Sequence, residues 1–421
     1  MIEFDLARYV PGDTLHLWWL ADPAQPRPVG ELRIARTMQG VSLTYGPAWL
    51  ASGFALSEDL PLKPGEFLPR ERHAAAGAVD DARPARWGER VIRLLDRPPR
   101  LSVLDYLFFA GDERFGALGV SVEAGRYVAR ASDPLPRLAD VQEMQRLVDQ
   151  LQRGEAVPED RRRLITPGAT LGGARPKALL ELDGQPCVLK FGEADDVVDM
   201  PIVEHASMTL AAQAGIRVAA TRALALPGNH ALAVQRFDRM AGTRRHALSA
   251  HVALRAAAEE PGYPALAQWL RRRGETAGDR HLAQMHELFR RMVFNILIDN
   301  TDDHEKNHAL LMTPGGAYEL SPAFDVVPAA QSLGYQQMRV GADGADSTLD
   351  NALSECGQFG LRRQAAIDEV RRVCDVVAGW QTHFRRTGVG ERDVAELARH
   401  VDRPALKAQR EAFRGSSLKR R

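Results

Sequence analysis

A chain of 421 residues with 45% hydrophobic and 26% charged residues is long enough for two or three domains and a large core. Its 55 basic side chains balance 55 acidic ones, so no global field draws it to nucleic acid or to a membrane surface. Cys187, Cys356 and Cys374 stand far apart with no C-x-x-C pair, which argues against a disulfide framework and for a reducing compartment.

The N-terminus, Met1-Ile2-Glu3-Phe4-Asp5, has no basic segment followed by an apolar one, so no secretory leader is expected. No apolar run approaches the ~20 residues that span a bilayer. A cytoplasmic protein without membrane contact is expected. The first ~130 residues suit one strand-rich domain. Thr14 to Leu20 and Val41 to Tyr45 have strand composition with partial alternation, and Pro23, Pro26, Pro28 and Gly30 punctuate the connection. Leu101 to Phe109 reads as a short buried helix, and Gly111 to Gly119 as a turn into another strand. Val141, Met144, Leu147, Val148 and Leu151 then form one stripe of an amphipathic helix.

After a charged linker comes a glycine-rich segment, Gly168-Ala169-Thr170-Leu171-Gly172-Gly173-Ala174-Arg175-Pro176-Lys177. Behind it, two apolar runs flank Asp183-Gly184, a strong hairpin signal that places Lys190 on the second strand. Glycine lets backbone N–H groups approach phosphate oxygens, and a strand-borne Lys can reach them as a point charge. Taken alone, the segment reads rather as a flexible turn before a hairpin, with Lys190 snorkelling. Asp199-Met200-Pro201 opens a helix to about Ala214, with Gly215 as its C′ residue. Glu204, read into the first turn, either orients the strand Lys or simply suits the helix dipole. Ala231 to Arg239 is an apolar strand ending in polar residues, the place for a hinge whose backbone contacts adenine. From His246 onward the pattern is mostly helical, apart from His304 to Asp325.

The densest stretch of chemistry follows. Met285, Leu288, Met292 and Ile296 are spaced for a helix that stops near Asp299. Asn300-Thr301-Asp302-Asp303-His304-Glu305-Lys306-Asn307 is a polar loop, and Asp325 lies past a short strand. An Asp that accepts a hydroxyl proton, then an Asn and a second Asp that hold Mg²⁺ against ATP phosphates, make a phosphoryl-transfer site. Asp302 takes the base role by position, and Asp303 that of a loop or structural carboxylate. His304-Glu305-Lys306-Asn307-His308 also fits H-E-x-x-H, the alternative of a zinc peptidase. That reading needs a helix through the five residues. A kinase-like binding module without catalysis is the other alternative.

In order, the chain offers a glycine loop, a strand Lys, a helical Glu, a hinge and an Asp-x-x-x-x-Asn loop with a following Asp. In these features it resembles the HipA-like serine/threonine kinases, the toxin halves of bacterial toxin–antitoxin pairs. Leu43-Thr44-Tyr45 through Trp49, Ala55 to Leu62 and Gly116-Ala117-Leu118-Gly119 look like that family's N-terminal subdomain. Gly172 to Lys177, Val234 to Arg239 and Thr301 to Asn307 look like its kinase core. The resemblance implies an α+β, two-lobed protein kinase-like fold: a strand-rich subdomain over 1–135, a nucleotide-binding lobe over 136–240, a helical catalytic lobe over 241–415 and a basic tail over 416–421. It implies Asp302 as catalytic base and Asn307 and Asp325 as Mg²⁺ ligands. ATP would be bound by Lys190, Gln235, Phe237, Gly172, Gly173, Ala174 and Lys177, with Glu204, His304 and Lys306 in support. Thr170 stands where family members carry an autophosphorylated Ser. Also implied are a helix-turn-helix antitoxin that carries the DNA binding, and a protein substrate such as an aminoacyl-tRNA synthetase.

Overall fold

The computed structural model describes residues 3–4, 9–130, 134–165, 167 and 173–414. Thr170, Gly172 and the basic tail lie outside the described residues. The chain divides into two compact units, Met1–Phe191 with Gln235–Ala257, and Gly192–Val234 with Ala258–Arg421. Among the described residues no helix is long and apolar enough to cross a membrane.

The first unit is built on a five-stranded antiparallel sheet. Its strand order is Glu66–Phe67, Gly40–Tyr45, Arg27–Ala35, Thr14–Trp19, Leu118–Ser121. Leu15, Leu32 and Leu43 stand side by side across three strands and are buried, as alternation on one pleated face requires. A bulge between Leu17 and Trp18 falls beside Pro28, whose missing N–H cannot serve a regular ladder. Trp18 thereby joins Trp19 in being buried. Gly30 is required by close approach: a Cβ there would lie 2.1 Å from the Thr44 carbonyl oxygen. The expected helix runs Val103–Phe109 behind a Ser102/Asp105 capping box. The helix Val141–Arg153 buries the five residues of its apolar stripe.

The hairpin Lys177–Leu182/Gln185–Phe191 turns through Asp183 at φ +52° and Gly184 at φ +74°, the paired left-handed residues of a type I′ turn. Arg236, Asp238 and Arg239 form a buried ion cluster in the same unit. Asp238 accepts from Arg236 Nε at 3.0 Å and Nη2 at 2.8 Å, from Arg239 Nη1 at 2.6 Å and from the Gly116 N–H at 2.9 Å. Arg236 Nη1 also reaches Glu113 at 3.0 Å. Burial alone would raise the Asp238 carboxyl, but the guanidiniums of Arg236 and Arg239 bring it down to about 2.

The second unit is organised by the helix Arg280–Leu297. Met285, Leu288, Met292 and Ile296 are buried as their spacing implies, but so are Phe289, Val293, Phe294 and Leu297. From Arg291 to Leu297 every residue is buried, so this part of the helix has to be covered on every side. The helices Tyr263–Arg273, Leu349–Ser354 and Arg363–Val377 pack against it, as does the strand Tyr318–Leu320. That strand pairs antiparallel with Ala309–Met312. Met200–Gln213 forms the expected helix, with Gly215 at φ +79° beyond its end. Its first turn carries no acidic residue, so Glu204 sits past the reach of the dipole and is buried instead.

The expectation of helix outside 304–325 after His246 also gives way. Ala247–Ser249 is a strand, and residues 326–348 are irregular. Pro328, Gly334, Gly341 and Gly344 interrupt any helical run there. Asn351 substitutes for regular pairing: its amide donates to the Gly344 and Asp346 carbonyls at 3.2 and 2.9 Å and accepts the Asp343 N–H at 2.9 Å. A Cβ on Gly341 would lie 2.1 Å from the Asn351 carbonyl oxygen.

The ion cluster yields a stability test. Asp238→Asn leaves two buried guanidiniums under-compensated and is expected to destabilise the fold by about 3 kcal/mol. The native pKa lies below the unfolded value of 3.8. The carboxylate's contribution, on the order of 2 kcal/mol, is therefore complete above that value and is lost as pH falls through about 2. Urea unfolding between about pH 6 and about pH 2 should show wild type losing more stability than Asp238→Asn. Parallel losses would refute the assignment.

Candidate active site

The site begins where the long helix ends. Asp299 at φ +58° takes the left-handed position that closes a Schellman motif, with the Asn300 N–H on the Asn295 carbonyl at 2.9 Å. Asp is tolerated there less readily than Gly or Asn, and the fold uses its side chain. The fully buried Asp299 carboxylate accepts the Ser332 N–H at 3.1 Å and the Arg403 guanidinium. Its carbonyl accepts the Ala329 N–H at 3.0 Å. One residue thus ties the helix end to the segment that follows Asp325 and to the start of the last helix, Pro404–Arg414.

The two adjacent carboxylates have opposite surroundings. Asp302 is exposed and Asp303 is buried. Asp303 accepts from the Tyr263 hydroxyl and from His308 Nε2 at 2.8 Å. Asn295 Nδ2 donates to the same Tyr263 oxygen at 3.3 Å. Burial, and then the Asp303 charge, push the Tyr263 hydroxyl well above its ordinary pKa, so it remains a donor. Between Asp303 and His308 the chain makes a single 3-10 turn, Glu305–Asn307, closed by the Asn307 N–H on the His304 carbonyl at 2.8 Å.

That turn corrects the zinc alternative. His304 and His308 are both extended, at φ −132° and −118°, so no helix carries them on one face. Among the described residues no group of three His, Cys, Asp or Glu side chains could hold a metal ion. A hard cation bound by an Asn and an Asp is a different case, and Asn307 fits it. Its Oδ1 is buried and accepts no hydrogen bond, which is costly for an amide oxygen unless a ligand satisfies it. Asn307 lines a void of about 10 Å³ with Asp303, His308, Asn295, Phe324 and Val326. The space suits one water or one ion, and it is bounded by both neighbours of Asp325. Asp325 itself is half-buried at φ +59°, an uncommon conformation for a side chain other than Gly or Asn. Amide and carboxylate oxygens are the donor set that Mg²⁺ prefers.

The approach to Asp325 is fixed from the long helix. Gln284 Oε1 accepts the Leu320 N–H at 2.7 Å, and Arg291 donates to the Ser321 carbonyl at 2.6 Å. Glu287 joins Arg291 to Arg217, whose guanidinium also reaches the Leu320 carbonyl at 2.7 Å. These residues, with Asp299, Tyr263 and Arg403, are not legible as functional in the sequence. Asp299 carries a weak signal, an acidic residue where an apolar helix ends. Arg403 carries none, since its partner lies 104 positions away.

The other expected residues divide between the units. Gly173, Ala174, Lys177, Lys190, Gln235 and Phe237 belong to the first, and Glu204, Asp302, His304, Lys306, Asn307 and Asp325 to the second. Lys177 and Lys190 stand opposite each other in the hairpin register, so both side chains leave from one face. Both are buried, and Lys177 Nζ donates to the Gly173 carbonyl at 2.6 Å. Gln235 Nε2 reaches Gln185 at 3.3 Å, and Phe237 packs edge-on to Phe115.

A strand-rich unit with a lysine hairpin, and a mostly helical unit with an Asp-x-x-x-x-Asn loop, define an α+β, protein kinase-like fold. The chain belongs to the HipA-like family: residues 169–380 match the HipA-like C-terminal domain. It is similar to HipA of the Shewanella oneidensis MR-1 toxin–antitoxin system, solved with HipB and its operator DNA. The TM-score is 0.63 at 18% identity, over 95% of this chain and 97% of that one. Helicobacter pylori proinflammatory kinase CtkA matches with a TM-score of 0.45 at 13% identity, over 59% of this chain and 94% of that one.

The Asp299 clamp generates its own test. Arg403→Ala removes the cation from a fully buried carboxylate and is expected to cost about 3 kcal/mol. Hydrogen exchange should then rise at the Ala329 and Ser332 amides before global unfolding. Unchanged protection at those amides would show that Arg403 does not hold this segment.

Proposed function

We propose that this chain is a Mg·ATP-dependent serine/threonine protein kinase serving as the toxin of a toxin–antitoxin pair. The observation that carries this reading is the buried, unpartnered Oδ1 of Asn307, five positions after an exposed Asp302 and on the same void as the neighbours of Asp325. When bound, Mg²⁺ supplies charge neutralisation and orientation of the ATP phosphates. Asn307 and Asp325 would hold it. Lys177 and Lys190 are assigned to phosphate oxygens and Gln235 and Phe237 to the adenine, with Glu204 in support. Gly172, Gly173 and Ala174 would cover the phosphates with backbone N–H groups. His304 and Lys306 support the loop.

In the reaction a Ser or Thr hydroxyl oxygen bonds to the γ-phosphorus as the bond to the β–γ bridging oxygen breaks. Asp302 takes the hydroxyl proton, and ADP leaves. Exposure of Asp302 suits a base that must meet a protein substrate. The likeness to a HipA solved with HipB and operator DNA supports an antitoxin partner, which we take to be a helix-turn-helix protein carrying the DNA contacts. The substrate class we assign is a translation protein such as an aminoacyl-tRNA synthetase. Thr170 is assigned as an autophosphorylation site, since a phosphate there adds about −1.5 to −2 charges to the glycine-rich segment and opposes ATP.

Asp302→Asn should lower phosphoryl transfer by about 10²- to 10⁴-fold while still binding Mg·ATP. Asn307→Ala and Asp325→Ala should remove metal-dependent activity, and chelation should abolish it in wild type. Wild-type transfer that survives EDTA, or full activity in Asp302→Asn, would sink the assignment. Mass spectrometry of protein expressed alone tests Thr170, and phosphoproteomics after brief induced expression identifies the substrate.

A further inference from the structure

We propose that the Asp303–His308 bridge is a positioning clip that sets the metal ligand Asn307, so that both residues control cation affinity without touching the cation. The inference rests on the kinase reading of Asn307 given above. The bridge joins residues five apart at 2.8 Å and encloses the turn His304-Glu305-Lys306-Asn307. It therefore fixes where Asn307 leaves the turn relative to Asp302, the residue just before the clip.

A plain 3-10 turn has no need of such a device. Its closure is already made by the Asn307 N–H on the His304 carbonyl. Burying a carboxylate and an imidazole beneath it carries a desolvation cost that a turn of small polar residues would avoid. The fold also anchors the clip from two helices. Tyr263 of the helix Tyr263–Arg273 donates to Asp303 and sets its ring edge-on to His308 at 5.6 Å. Asn295 of the helix Arg280–Leu297 donates to Tyr263. Asp303, His308, Tyr263 and Asn295 are all buried, so the anchor is screened from water.

Two unpartnered buried polar atoms accompany this rigid frame. His308 Nδ1 is buried without a hydrogen-bond partner, as is Asn307 Oδ1. Both residues line the same small void with Asp303. A frame that stiffens the loop and leaves the Asn307 Oδ1 acceptor open matches the arrangement of groups that orient a ligand from behind, where substitutions typically cost about 10- to 100-fold in affinity.

The test uses the full chain and Mn²⁺ as the probe, with bound and unbound ion distinguished by electron paramagnetic resonance in the presence of ATP. Asp303→Asn and His308→Phe should weaken Mn²⁺ binding about tenfold or more and raise the metal concentration needed for transfer. His308→Gln, which keeps an N–H donor for Asp303, should recover most of the affinity. Asp302→Asn should bind Mn²⁺ close to wild type. A purely structural role would lower thermal stability and leave the affinity of the folded protein unchanged. Where His308→Phe fails to fold, Tyr263→Phe removes one donor at constant ring shape and should still weaken binding. Folded variants lacking the bridge that bind Mn²⁺ as wild type does would overturn the clip. Wild type that binds no Mn²⁺ and transfers no phosphate would overturn the kinase reading and the clip with it.

Discussion

The helix Arg280–Leu297 is buried around its full circumference from Arg291 to Leu297, and that single property constrains most of the second unit. Such a helix cannot lie on a surface, so helices and a strand must surround it. Its C-terminal carbonyls then end inside the protein, where each needs a donor. The Schellman closure at Asp299 and Asn300 supplies donors and turns the chain sharply. The polar loop carrying Asp302 and Asn307 starts from that turn with little freedom in its direction. The helix that builds the core thus also aims the loop.

The same helix fixes the second acidic element. Gln284, Glu287 and Arg291 lie along one of its faces and bind the backbone at Leu320 and Ser321, directly or through Arg217. Gln284, Glu287 and Arg291 are polar residues buried among the apolar ones of this helix. Each is justified by a partner, as buried charge requires. Burial holds the Arg291 guanidinium below its usual range, and Glu287 offsets only part of that. Loop and Asp325 segment are thereby referenced to one rigid rod, which is how side chains of distant sequence can share a void of about 10 Å³.

The elements with local causes were legible in the sequence. Asp183-Gly184 between apolar runs gives the hairpin, since few other pairs adopt two left-handed residues cheaply. The helices at Val141 and Met200 follow from periodicity and from Pro201 near the start. The short strand expected ahead of Asp325 is Ala309–Met312. What was not legible depends on contacts across the chain. Arg403 on Asp299 and Tyr263 on Asp303 have no local signature. The irregular segment 326–348 was misread because its glycines and Pro328 signal only that helix fails, and Asn351, which organises it, lies beyond. H-E-x-x-H is the reverse case: a strong local pattern whose required helix never forms, because Asn307 closes a 3-10 turn instead.

The pair Asp302–Asp303 shows why a motif of identical side chains can hold two jobs. Two carboxylates on adjacent residues cannot both be exposed and both be fixed. A buried carboxylate is rigid because its acceptors are satisfied, and Tyr263 and His308 satisfy Asp303. The exposed neighbour, Asp302, is the carboxylate that a protein substrate can reach. It inherits its position from the residue behind it. Separation by burial therefore gives the loop one carboxylate that defines geometry and one that can do chemistry. The order Asp302 then Asp303 puts the structural one next to the turn that leads to Asn307.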